Sequence, residues 1–147
     1  MSLAQPAAAE TPAAPITTAD YQALARFRRA LRAFLHFSEQ AARAAGLTPA
    51  QHQLLLAVKG TESERPPTIG DVADSLKLRH HSAVELVDRA VAAGLLTREN
   101  DRHDARRQRL VLTSRGEQLL AALSTLHRQE LRRFNQEMLT LTSMASP

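Results

Sequence analysis

Residues 98–116 read RENDRHDARRQRLVLTSRG. Up to residue 115 this stretch holds six arginines, at 98, 102, 106, 107, 109 and 115, against three acids, Glu99, Asp101 and Asp104. Arginine stays charged at physiological pH and presents a planar fork of donors that grips a phosphate or a base edge through two hydrogen bonds at once. Such a surplus suits an anionic partner. A second polar group, Arg79, His80, His81, Ser82 and Glu85, stands upstream. Serine and histidine can donate or accept at base or phosphate, and a glutamate can accept from cytosine.

Other chemistries fit less well. His80, His81, His103 and Asp104 can be drawn as a metal cluster, but they fall on the same polar elements and no helical His-x-x-x-His pair occurs, so no metal is expected. The absence of cysteine removes disulfides, thiol catalysis and cysteine zinc sites. With five glycines, none paired, there is no phosphate-cradling loop. No nucleophile–base–acid set is visible either, so neither an enzyme nor a cofactor is expected.

What positions these residues follows from composition and pattern. A chain of 147 residues with 44% apolar content can bury one core, and with only 3% aromatics that core must be Leu, Ala and Val, which favours packed helices over sheet. The net charge is +4, and the local surplus of residues 98–115 makes up most of it. The only lysines are Lys59 and Lys77. Neither a signal peptide nor a membrane-length apolar run is present, so a cytoplasmic protein is expected.

Residues 1–16, rich in Ala and Pro, read as a disordered tail. Thr17 and Asp20 have capping-box spacing, and Leu24, Phe27, Leu31, Phe34, Ala41 and Ala45, with only the small polar Ser38 between them, follow at three- and four-residue steps until Gly46. So long a helix in so small a domain is expected to lie across a partner. LTPAQHQLLLAVKG is a second helix capped by Thr48 with Gln51, and TIGDVADSLKL a short third capped by Thr68 with Asp71. After a tight step, RHHSAVELVDRAVAAGLL buries Ala83, Leu86, Val87, Ala90 and Val91 and stops at Gly94, which makes a helix-turn-helix. LLTRE and QRLVLT then read as two strands around the turn-forming Asn100 and Asp101, a hairpin wing tipped by NDRHDAR. Residues 116–147 form one long helix or two, with FNQ near Asn135 the candidate break.

From about Leu47 to Gly116 the chain resembles the MarR family of transcriptional regulators. Leu47, Thr48, Gln51 and Leu54–Leu55 match its LT..Q...L opening, and LVDRAVAAGLL resembles its LVDRLE..GL segment. Arg98, Asp104, Arg106, Leu110 to Thr113 and Gly116 match its wing pattern of Arg, Asp-x-Arg and an apolar strand ending in Leu-Thr-x-x-Gly. The sequence departs from the family where His80 to Glu85 replace the usual Ser/Thr and Arg, and where Arg102 replaces a common Pro.

The resemblance implies a mainly α fold with three parts. Residues 17–46 form an N-terminal dimerisation helix, 47–115 a winged helix-turn-helix lobe and 116–147 C-terminal dimerisation helices, giving a homodimer on a pseudo-palindromic site in double-stranded DNA. It places Arg106 at the minor groove, with Arg102, His103 and Arg107 adding backbone or groove contacts and Asp104 acting as a strut that holds an arginine. Arg98 and Arg109 are set instead to pair with Glu99 and Asp101. The resemblance also implies a repressor released by a small aromatic or phenolic effector, in a crevice that His36, Phe37 and His52 could line by position. The alternative is a winged helix that binds another protein rather than DNA. Basic rather than apolar side chains on the helix and wing favour DNA.

Overall fold

The computed structural model describes residues 14–144, so the tail expected over residues 1–16 falls almost wholly outside the described residues. The elements are α1 (Thr18–Ala44), α2 (Pro49–Lys59), α3 (Ile69–Leu76), α4 (His80–Ala92), β1 (Leu96–Asn100), β2 (Gln108–Leu112) and α5 (Ser114–Met144). The fold is mainly α with a single antiparallel hairpin, a winged helix-turn-helix between long terminal helices.

Local chemistry sets most of the boundaries. Thr17, Thr48 and Thr68 each accept from the backbone N–H three residues on, while Asp20, Gln51 and Asp71 reach back to the capping backbone. Gly46 (φ +83°) and Gly94 (φ +73°) take the left-handed conformation that costs other residues about 1–2 kcal/mol. That turn lets Leu47 and Leu95 donate to the carbonyls of Ala42 and Ala90, at 2.9 and 3.0 Å. Lys77 (φ 56°) makes the same turn without a glycine at the end of α3, and it forms the tight step into α4.

The core lies in the lobe. Leu54, Leu55 and Val58 of α2 pack with Val72, Val87, Ala90, Leu95, Leu96, Leu110 and Leu112, and Ala42 of α1 with Leu120 and Leu123 of α5 close one side. β1 and β2 pair from Leu96↔Leu112 to Asn100↔Gln108. The segment before α3 adds a short third edge, with Leu110 N–H donating to the Pro67 carbonyl at 2.9 Å.

Beyond the lobe, α1 and α5 run antiparallel as an arm, bringing Phe34 to 5.7 Å from Phe134 between ring centroids. α5 is one continuous helix with no break near Asn135. Neither glycine nor proline occurs from 117 to 146, and asparagine costs a helix only a fraction of a kcal/mol, roughly 0.7 at most. The arm has almost no core of its own. Within 18–40 only Ala30 is buried, and within 124–143 nothing is. Tyr21, Leu24, Phe27, Leu131 and Leu139 all stand exposed, Leu139 at 69% and Leu24 at 58%.

Candidate nucleic-acid interface

α4 is pinned by Ala83, Val87 and Ala90, all fully buried. That leaves His80, His81 and Glu85 exposed and Ser82 half-buried on its first turns. Arg79 caps the helix through its backbone alone, and its side chain is exposed. Successive residues on a helix diverge by about 100°, so the two histidines point to different sides. His80 turns toward the hairpin. It lines a groove with Arg106, Arg107 and Gln108 on one wall and Thr68 to Asp71 of α3 on the other.

The connection between β1 and β2 divides its cations between two sides. Arg106 and Arg107 face the α3–α4 side, whereas Arg102 and His103 line a separate recess with Glu64, Arg65, Asp101 and Arg109. All four of these wing residues are exposed. Among the described residues the Arg106 and Arg102 guanidinium groups have no hydrogen-bond or ion-pair partner.

What shapes the wing is chiefly Asp101. Its carboxylate accepts from Arg109 Nε at 2.7 Å and from the His103 backbone N–H at 2.7 Å, and its own N–H donates to the Arg107 carbonyl at 2.9 Å. These hydrogen bonds, the His103 N–H first and then Arg109, hold the carboxyl down at about 2. Arg109 also donates to the Pro66 carbonyl at 2.9 Å, which ties the wing to the segment before α3. Asp104 works more locally: it accepts from the Arg106 backbone N–H at 3.0 Å and so fixes that arginine through its main chain.

One pairing differs from the sequence expectation. Arg98 pairs with Asp88 of α4 and not with Glu99. Neighbours on a strand point to opposite faces, so Arg98 and Glu99 cannot meet, while the Arg98 face of β1 looks onto α4. Asp88, in the LVDR segment, therefore joins α4 to the base of the wing, a role the sequence did not disclose.

A second group of residues gathers where α1, α2 and α5 meet. His52 is buried, and its ring lies 4.7 Å from that of His127, which also contacts Phe37 at 5.5 Å and Phe34 at 6.3 Å. The His127 Nδ1–H donates to the Leu123 carbonyl at 2.7 Å, and its Nε2 bonds Ser38 Oγ at 2.7 Å. A carbonyl can only accept, so in the neutral ring Nε2 takes the serine proton. Sequence reading reached His52 and Phe37 but missed His127, 89 residues from Ser38. His36 is exposed and takes no part in the cluster.

Burial, and secondarily the charge of His127, hold His52 below its ordinary 6.5. Below that pH the unfolded chain binds a proton that the folded one resists, so stability is full above about 6.5 and declines as the pH falls below it. Thermal melts from pH 7.5 to 5.5 should show that decline, and His52→Leu should flatten it. Identical slopes for the two proteins would show that His52 does not titrate in this way.

Among the described residues no group of three or more His, Cys, Asp or Glu is placed to hold a metal ion, and no helix is long and apolar enough to cross a membrane. Residues 45–107 match the MarR family. The fold is similar to that of AbsC, a MarR family transcriptional regulator from Streptomyces coelicolor, with TM-score 0.66, 23% identity and coverage of 83% of this chain and 82% of that one. It is similar to a MepR variant from S. aureus bound to an oligodeoxyribonucleotide, with TM-score 0.61, 23% identity and coverage of 90% and 86%. It also resembles CouR from Rhodococcus jostii bound to p-coumaroyl-CoA, with TM-score 0.64, 24% identity and coverage of 82% and 90%. No curated protein matches the sequence significantly.

Proposed function

We propose that this chain, a MarR-family winged-helix protein, is a sequence-specific regulator of transcription that binds duplex DNA as a homodimer. The observation that carries this reading is the groove in which His80, at the start of α4, faces Arg106 and Arg107 of the wing. A helix N-terminus meets base edges in a major groove, and an arginine on a flanking wing suits the negative potential of a narrow minor groove. The oligodeoxyribonucleotide bound to the MepR variant supports the same use of the fold.

The roles divide by charge. Arg79, His80, His81, Ser82 and Glu85 read bases, and Arg102, His103, Arg106 and Arg107 hold the backbone and the adjacent groove. Asp101 and Asp104 keep the wing in shape. Repression relieved by a small aromatic acid is the regulatory mode this reading favours, with the His52, Phe37 and His127 junction as the seat of the effector. It lies between arm and lobe, where a ligand that prefers one spacing of the two lobes would shift the population toward it. CouR, seen with p-coumaroyl-CoA, is a relative with an aromatic acyl ligand.

Selection from random duplex DNA followed by salt titration tests the reading. Arg106→Ala should weaken binding to all sequences by about 1–3 kcal/mol and lower the salt slope by about one phosphate equivalent. Ser82→Ala should leave the slope alone and change preference at one or two base positions. Arg106→Lys, which keeps the charge and loses the fork, should recover only part of the affinity. A folded Arg106→Ala protein with full affinity and an unchanged slope would transfer the wing to protein contact.

A further inference from the structure

α4 carries two carboxylates, Glu85 and Asp88, in quite different settings. Asp88 is engaged by Arg98 at the base of the wing. Glu85 is exposed, and among the described residues its carboxylate has neither a hydrogen bond nor an ion pair. It stands two residues from Ala83 and two from Val87, both fully buried, which puts it about 200° round the helix from each. The side chain therefore points away from the core, at the centre of the face that α4 offers to solvent. His81, one turn earlier, shares that face.

An unpaired acid at that place runs against the charge around it. Arg79 and Arg89 are exposed on the same helix, and Arg102, Arg106 and Arg107 on the wing. A carboxylate amid cations that suit phosphate repels the DNA backbone and weakens binding to every sequence alike. It is compatible with a major groove only where it meets a donor.

The groove presents two donors, the amino groups of cytosine N4 and adenine N6. They differ in their neighbours. Adenine N6 lies between two acceptors, its own N7 and the O4 of the paired thymine, and both repel a carboxylate. Cytosine N4 has one acceptor beside it, the O6 of the paired guanine, and a C–H edge on its other side. Guanine and thymine themselves offer only acceptors.

We propose that Glu85 is a specificity-determining residue, accepting a hydrogen bond from the amino group of one cytosine in each half-site and rejecting the other three bases there. The rejection is as important as the bond, because an unanswered carboxylate against an acceptor edge is a repulsive element. The assignment rests on the proposed entry of α4 into a major groove.

The test runs selection from random duplex DNA in parallel on full-length wild type, Glu85→Gln and Glu85→Ala. Wild type should enrich cytosine at one position per half-site. Glu85→Gln, whose amide both donates and accepts, should move that preference to adenine, which glutamine meets through N6 and N7. Glu85→Ala should lose the preference and bind random duplex a few-fold more tightly, since a negative charge has left the contact. A change in the DNA asks the same question with the protein untouched. In place of that cytosine, 2-pyrimidinone lacks only the amino group, and it should weaken wild-type binding about tenfold and leave Glu85→Ala unaffected. Three results would overturn the assignment and leave the DNA-binding regulator standing: an enriched site that both variants select unchanged, a wild-type preference other than cytosine at the position the variants alter, or an equal effect of 2-pyrimidinone on wild type and Glu85→Ala. A wild type that enriches no sequence would remove the DNA reading itself, and the role of Glu85 with it.

Discussion

Gly116→Ala should destabilise the protein by about 3 kcal/mol, at the upper end of the usual cost of overpacking a buried position. A Cβ at this buried glycine would stand 2.3 Å from the Leu95 carbonyl oxygen and 3.2 Å from its carbon. Both are backbone atoms, so no side chain can swing aside. The first turn of α5 presses on this strand end because Thr113 binds it from two directions: its N–H donates to the Leu95 carbonyl at 3.0 Å and its hydroxyl to the Gly94 carbonyl at 2.6 Å. The same hydroxyl accepts from the Gly116 N–H at 3.1 Å and so caps α5. Leu-Thr-x-x-Gly is thus one device: a buried strand leucine, a cap, and a residue with no side chain where helix meets strand. Alanine's helix propensity would return roughly 1 kcal/mol, too little to offset the clash. Gly70→Ala is the control, since its Cβ would meet nothing nearer than Thr68 Oγ1 at 3.7 Å, and it should be neutral or gain about 0.5 kcal/mol. Urea unfolding at fixed protein concentration measures both, and equal midpoints for Gly116→Ala and wild type would mean that α5 does not enter the lobe under this constraint.

What the sequence disclosed is what short-range chemistry decides. The three capping boxes, the stops at Gly46 and Gly94 and the hairpin each depend on residues within a few positions of one another, and all are present. Pairings across the fold were less legible. Arg98 has three acids near it in sequence, and only the direction in which β1 presents its faces selects Asp88. Arg109 and Asp101 are eight residues apart but share a side of the hairpin, and that pairing could be read in advance. His127 carried no local signal, because its partners Ser38 and His52 lie on other helices. The seam of α1 was legible as an apolar stripe, though not which part would stay uncovered.

Leu131→Glu should leave the fold intact and abolish high-affinity binding to a two-part DNA site. Leu131 is 50% exposed in the single chain, so within one chain a carboxylate there can reach water and displaces little packing. The reason to expect a large effect is the arm: two helices that bury only Ala30 between residues 18 and 40, and nothing between 124 and 143, cannot keep Tyr21, Leu24, Phe27, Leu131 and Leu139 in water without cost. In the proposed homodimer a second copy related by a two-fold axis brings the same stripe to meet it, and each substitution then enters the interface twice. An unpaired carboxylate in such a surface is strongly unfavourable. In the proposed complex dimerisation would also set the reach of the DNA contact, since two recognition helices about 34 Å apart meet half-sites centred roughly 10 base pairs apart. Joining the half-sites in one complex makes the second contact intramolecular, and losing that link should weaken binding by about 10²- to 10⁴-fold. Light scattering at micromolar protein should give a dimer for wild type and a monomer for Leu131→Glu, with unchanged circular dichroism. Footprints at saturating protein should span both half-sites for wild type, while the variant fills each independently and at far higher concentration. A sharp monomer mass for the wild type, or a Leu131→Glu dimer with full affinity, would remove the apolar stripe from the interface and leave the exposed leucines of the arm to some other partner.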